Sequence, residues 1–374
     1  MTPRPLSRHT ARAAVVGLAF GCVVASSAAS AKAPRGASPV VLLPGFMGWR
    51  DIETVGPYFA GLREALEAAG ADVFALAPPP IADSEARGAY VMRAIDDVLL
   101  RTGAEKVAVI AHSQGGVDVR VALAHGYASK IAVIATLSSP HEGTELADAA
   151  LAWFPRSVVR ATLTEIAWTW DGEQHIKHRT PDPDGALASL SRAGMKEFNA
   201  RHPTTAGVPF FSLAAVTGDD VDGGCARGGR WGAPDRVDAL HPLFLAAHAL
   251  IRLRAGDVSD DGVVPTARQR FGTFLGCVPG DHVDWMGWKL GRDDGAYAQL
   301  DDKAFLVELW RGMRDVELTG DERAMDAHVE ALAALAHAHV LEPAPGREPA
   351  PHAHARDRTE RAATTEPTAP PLGT

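Results

Sequence analysis

The chain has 374 residues, 46% hydrophobic and 22% charged, and its 37 basic and 46 acidic residues leave a formal net charge of −9. That composition is globular and excludes a collagen, a coiled coil or a largely disordered chain. The acidic balance argues against a nucleic-acid-binding surface, and three cysteines are too few for a disulfide scaffold or a cysteine-built zinc site.

Arg4, Arg8 and Arg12 precede an apolar run from Ala13 to Ala29 and the small residues Ala29-Ser30-Ala31. This order predicts a secretory signal peptide over residues 1–31 and hence a secreted protein. The run is shorter than the roughly 20 apolar residues of a spanning helix, and no later segment qualifies, so no stable membrane span is expected. A retained anchor and a lipoprotein site at Cys22 are the alternatives; Phe20 fits the second poorly.

Pro39 to Leu43 is a continuous apolar run closed by Pro44-Gly45, the pattern of a buried parallel strand. A helix is predicted over Tyr58 to Ala69, with Phe59, Leu62, Leu66 and Ala69 at helical spacing, and a strand over Ala71 to Leu76. Ser84 to Thr102 reads as a long helix with Val91, Ile95, Val98 and Leu99 on one face and Gly103 as its stop. Lys106 to Ala111 is a strand running into His112-Ser113-Gln114-Gly115-Gly116, followed by a helix from Val117 to Ala124 and a strand from Ile131 to Leu137. This alternation predicts one α/β domain, a mostly parallel sheet with helices on both faces.

The sheet signal lapses over a helical insertion at about 146–201, which carries Trp153, Phe154, Trp168 and Trp170 among Leu151, Val158, Val159, Leu163 and Ile166, an apolar set expected to cover a site beneath it, and resumes at Val208 to Val216. An apolar helical run then leads to an acidic turn, GDVSDDGVV from Gly256 to Val264. From Asp321 to Leu341, Val329, Leu332, Leu335 and Val340 mark a helical face. Residues 342–374 are Pro-, Ala- and His-rich with few large apolar groups; the expectation is a disordered tail whose His352 and His354 are solvated rather than metal-binding.

A serine at the centre of a tight turn between strand and helix is the context of a nucleophile elbow. Ala111-His112-Ser113-Gln114-Gly115 supplies it, and Ser113 is the candidate nucleophile; the bland reading is a helix N-cap. A serine hydroxyl needs an imidazole to take its proton and a carboxylate to orient that imidazole, in the chain order Ser, acid, His. Asp261, before Gly262 and the strand-like Val263-Val264, is the candidate acid, with Asp260 the runner-up; His282 in Gly280-Asp281-His282-Val283-Asp284 is the candidate base. The oxyanion of the tetrahedral intermediate requires backbone N–H donors. Gln114, after the nucleophile, and Phe46, in the loop Pro44-Gly45-Phe46-Met47-Gly48, are the candidates.

These motifs resemble the secreted bacterial triacylglycerol lipases of Pseudomonas and Burkholderia type, over about Pro39 to Leu146 and again Asp257 to Gly291. The resemblance is strongest in Val41 to Gly48, in Ala111 to Arg120 and in Ser139 to Asp148. It implies an α/β-hydrolase fold, a mobile helical lid over the site, a structural Ca2+ ion and often one disulfide. Asp284 matches the family's first calcium carboxylate, and Asp238, with Asp235 as fallback, is the nearest candidate for the second. With Cys22 lost in the leader, Cys225 and Cys277 would form the disulfide. Two departures stand out: Pro44-Gly45 where the family has His-Gly, and Ala111 where it has Gly.

The expected function is therefore a secreted lipase that splits triacylglycerol esters by a Ser-His-Asp acyl-enzyme mechanism. Its partners would be a lipid or ester substrate at an interface and a secretion chaperone, with no organic cofactor. A short-chain carboxylesterase or polyester depolymerase with the same triad is the enzyme alternative. A catalytically dead binding protein of the same fold is the alternative from another class.

Overall fold

A computed structural model describes residues 37–52, 56–174, 181–217, 225, 228–232, 234, 240–256, 258–287 and 300–337. The expected signal peptide, the tail from 342, Asp235 and Asp238 lie outside the described residues. In chain order the strands are β1 (Val40–Leu43), β2 (Asp51–Ile52), β3 (Gly56–Pro57), β4 (Val73–Ala75), β5 (Val107–His112), β6 (Ile131–Leu137), β7 (Phe210–Val216) and β8 (Thr273–Pro279). Helices α1 (Leu62–Ala68), α2 (Ser84–Thr102) and α3 (Gln114–Ala124) precede the insertion, which is made of α4 (Glu145–Ala152), α5 (Arg156–Gln174), α6 (Pro183–Leu190) and α7 (Arg192–Arg201). Then come α8 (Leu245–Ala255), α9 (Asp302–Thr319) and α10 (Asp326–His337).

Six strands form one sheet in the order β4-β1-β5-β6-β7-β8, every neighbouring pair parallel. Period-two alternation decides which face each side chain serves. Val40 and Leu42 pack with α1, α9 and α10 on one face, while Val41 and Leu43 pack with α2 and α3 on the other. Because both faces are covered, β5 and β6 carry no exposed residue, and their runs are continuously apolar except at the site end. Burying each such Val, Leu or Ile stabilises by about 1.5–3 kcal/mol.

Local signals set the helix ends. Asp83 caps α2 by accepting from Ala86 N at 2.9 Å, and Gly103 closes it at φ 69°. The predicted helix at Tyr58 starts only at Leu62, after Gly61 at φ 72°. β8 gave no strand signal, since Gly276 and Pro279 break its pattern. Gly276 leaves room for the Trp231 indole, whose Nε1 donates to Cys277 O at 2.7 Å. Val263 and Val264 are not a strand; they continue the acid turn, which joins β7 through a Thr217–Asp260 bridge.

Candidate active site

At the carboxyl end of β5 the chain must reverse into α3 within one residue. Ser113 does so at φ 53° and ψ −129°, a conformation that L-residues avoid and that projects its Oγ above the sheet. Close approach explains the small neighbours: a Cβ on Gly45 would lie 2.6 Å from Ser113 Cβ, and one on Gly115 would lie 2.7 Å from Leu43 O. Ala111, in place of the family's Gly two residues before Ser113, is fully buried, so its methyl group is accommodated.

Two loops bring the partners. Ser113 Oγ–H donates to His282 Nε2 at 2.9 Å, and His282 Nδ1–H donates to Asp261 Oδ2 at 2.8 Å. The other oxygen of Asp261 accepts from Val263 N at 3.0 Å and Val264 N at 2.7 Å, and Asp261 O accepts from His282 N at 2.8 Å. A fully buried carboxylate held on both oxygens fixes the imidazole's tautomer and orientation. Asp260 faces away: it binds His248 Nδ1 of α8 at 3.0 Å and Gly262 N at 2.7 Å. Such a chain can shuttle a proton from a serine attacking a carbonyl to its leaving group.

The candidate oxyanion donors lie on either side of Ser113. The Gln114 amide is the first of α3, which has no acceptor within the helix, and its side chain is held aside by Ala82 O at 2.9 Å and Ser84 Oγ at 3.1 Å. The Phe46 loop is clamped from below by Arg87, which is fully buried. Its guanidinium donates to Pro44 O (2.9 Å), Gly45 O (2.8 Å), Pro79 O (2.9 Å) and Asp118 Oδ2 (2.7 Å). Within the loop, Gly45 N donates to Tyr58 Oη at 2.9 Å and Gly48 N to Gly45 O at 3.0 Å, so the Phe46 amide remains the candidate donor toward Ser113. Phe46 O also accepts from Ile81 N at 3.0 Å, and Ile81 O accepts from Asp182 N, the cap of α6, at 3.0 Å. Ile81 sits at φ 49°, a strained value for a β-branched residue.

Sequence reasoning missed Arg87, Tyr58 and the environment of His112. Arg87 had a readable signal: it lies one turn before Val91 on the buried face of α2, where a charge requires a buried partner. Tyr58 had none, because only the folded loop brings it to the site.

Above Ser113 is a cavity of about 560 Å³ lined almost wholly by apolar side chains. Its walls include Val158, Val159 and Leu163 of α5, Leu187 and Leu190 of α6, and Met286 beside His282. Of the apolar residues expected to cover the serine, Val158, Val159 and Leu163 line it and the aromatics do not. Trp153, Phe154 and Trp168 are 51%, 55% and 56% exposed, whereas Val159 and Leu163 are partly buried. The side chain of Trp170 lies outside the described residues. The root of the insertion is pinned to the acid turn: Thr144 Oγ1 donates to Val263 O at 2.6 Å, and buried Glu145 pairs with Arg268 at 2.6 Å.

Cys225 and Cys277 form a disulfide that joins the segment after β7 to β8, with Cα atoms 5.5 Å apart. For calcium, the described residues alone do not form a cage. Asp284 is buried but its Oδ2 accepts from Asp281 N at 2.6 Å, and no cluster of three or more His, Cys, Asp or Glu suited to a metal occurs among the described residues. No helix among them is long and apolar enough to cross a membrane.

Residues 38–162 match the α/β-hydrolase fold family. Solved structures of similar fold include Staphylococcus hyicus lipase (TM-score 0.50, 14% identity, 81% of this chain and 97% of that one) and a metagenomic carboxyl esterase (TM-score 0.51, 20% identity, 79% and 76%). Sheet, elbow and fold family together define a serine ester hydrolase. The relatives narrow it further. A triacylglycerol lipase of Pseudomonas fragi is 30% identical over 66% of this chain and 86% of its own length, and one of Vibrio cholerae is 29% identical over 68% and 80%. The chain belongs to the bacterial triacylglycerol lipase family of the α/β-hydrolase superfamily.

Proposed function

We propose that the protein is a secreted lipase that hydrolyses triacylglycerols through an acyl-enzyme on Ser113. The observation that carries the reading is the Ser113–His282–Asp261 chain opening into an apolar cavity. His282 Nε2 takes the Ser113 proton as Oγ attacks the ester carbonyl, and the Phe46 and Gln114 amides receive the oxyanion. His282 then protonates the departing glyceride oxygen, and water, deprotonated by the same imidazole, releases the fatty acid. Asp261 holds the imidazolium. The insertion acts as a lid, since its inner face walls the cavity and its outer face leaves large apolar side chains in water. A calcium ion held by Asp284 and Asp238 belongs to the same proposal and supplies rigidity beside the histidine turn, not chemistry. Export is supported by the basic, apolar and small-residue order of residues 1–31 and by the disulfide, a bond favoured in oxidising compartments.

The test is hydrolysis of emulsified long-chain triglyceride against a soluble short-chain ester. Wild type should rise sharply once the triglyceride forms an emulsion, whereas a short-chain esterase would saturate below the solubility limit. Ser113→Ala should lower turnover of both substrates about 10⁴- to 10⁶-fold. Asp261→Asn should cost far more than Asp260→Asn. Near-wild-type turnover by Ser113→Ala would overturn the reading.

A further inference from the structure

Under the cavity runs a hydrogen-bonded chain that the acyl-transfer chemistry does not itself require. Tyr58 Oη accepts from Gly45 N at 2.9 Å and lies 2.6 Å from His112 Nδ1, while His112 Nε2 lies 2.8 Å from His282 O. A carbonyl oxygen can only accept, so His112 carries its proton on Nε2. Its Nδ1 is then the acceptor, and the Tyr58 hydroxyl must donate to it. Burial, with the neighbouring His282 second, drives the His112 pKa far below that of a free imidazole, so the ring is neutral. The order of donors is thereby fixed: Gly45 N–H to Tyr58, Tyr58 O–H to His112, His112 N–H to the His282 carbonyl. Trp49 and Phe59 hold the Tyr58 ring edge-on at 4.6 and 4.9 Å between centroids, so the chain is rigid laterally as well.

We infer that Tyr58 and His112 are positioning residues that lock the oxyanion loop to the catalytic histidine through one proton-ordered chain. One end fixes the peptide before the Phe46 amide, and the other fixes the backbone of the base. The two groups that must act on the same carbonyl are otherwise supplied by segments far apart in the sequence. The inference rests on the proposed triad reading.

Tyr58→Phe keeps the ring but leaves the Gly45 N–H and His112 Nδ1 unpaired. His112→Gln can keep a donor near the His282 carbonyl but offers Tyr58 no acceptor at the Nδ1 position. Each should lower kcat on a soluble ester by about tenfold or more with KM within about twofold, less than loss of a whole oxyanion donor. The double variant should cost little more than the worse single one, because either substitution breaks the same chain. Active sites titrated with a serine-directed phosphonate normalise kcat to folded enzyme, so partial misfolding does not mimic the effect. His112→Asn, which keeps an acceptor near the Nδ1 position for Tyr58 but loses the donor to His282 O, should fall with the others. Titrated kcat within twofold of wild type for Tyr58→Phe, or strict additivity in the double variant, would overturn the inference. Full activity of Ser113→Ala would instead overturn the triad reading beneath it.

Discussion

Arg87 reaches the site without touching it. Its guanidinium spans Asp118 and the carbonyls of Pro44 and Gly45, with both charged side chains wholly buried. Arg87→Met would strand the Asp118 carboxylate in the interior and should destabilise the fold by about 3–5 kcal/mol. Arg87→Lys keeps a charge for Asp118 but lacks the planar fork needed to hold Asp118 and the carbonyls of Pro44, Gly45 and Pro79 at once. The lysine variant should therefore retain more melting temperature than the methionine variant yet lose kcat by roughly ten- to a hundredfold, as the Phe46 loop relaxes. Melting curves and kcat on a soluble ester check both. At this scale the sequence was a good guide wherever chemistry imposes order along the chain. Ser113, Asp261 and His282 are far apart but occur in the order the fold demands, and the structure brings them within hydrogen-bond reach. Tyr58 was silent because only the folded loop brings it beside Gly45 and His112, and Arg87, though its place on the buried face of α2 called for a partner, gave no hint that it would hold the carbonyls of Pro44 and Gly45.

Among elements, the joint between α9 and α10 carries a pH-dependent link. His328 of α10 contacts Glu308 Oε1 at 2.7 Å and Asp315 Oδ2 at 3.0 Å, both on α9, with Arg311 and Arg314 as the other charged neighbours of those carboxylates. Burial pulls the His328 pKa down, but the hydrogen bonds to the two carboxylates outweigh it and leave it above the ordinary imidazole value. A raised native pKa stabilises fully below the unfolded value of about 6.5, and that contribution is lost as pH rises through the native value. The gap in melting temperature between wild type and His328→Gln should thus be widest near pH 5.5 and shrink by pH 8.5. An unchanged gap would show that the link does not titrate in that range. Continuous apolar runs made β1, β5 and β6 legible, and Gly103 marked the end of α2 correctly. Periodicity could not say which side of the insertion faces the serine. The sequence offered aromatic and aliphatic residues together as a cover; the cavity takes the aliphatic ones, with Val159 and Leu163 packed against the Leu187 and Leu190 cluster of α6.

For the whole molecule, the sheet sets the frame and the loops at its carboxyl ends supply the chemistry. Strand β8, invisible in the sequence because Gly276 and Pro279 interrupt it, completes that frame and delivers His282 five residues after Cys277. If calcium is bound by Asp284 and Asp238, chelation should lower the melting temperature by several degrees and excess calcium should restore it. A melting curve indifferent to chelator would remove the ion from the proposal. Ile81 has a further consequence, for the exchange of parts between relatives. This one strained residue donates a hydrogen bond to Phe46 O through its N–H and accepts one at its carbonyl from Asp182 N, the cap of α6. Transplanting the insertion from a homologue to change selectivity would therefore also retune the loop that meets the developing charge. On the proposed reading, substrate preference and catalytic power would not be separately inheritable modules, and a graft should carry residues 78–82 along with helices α4 to α7.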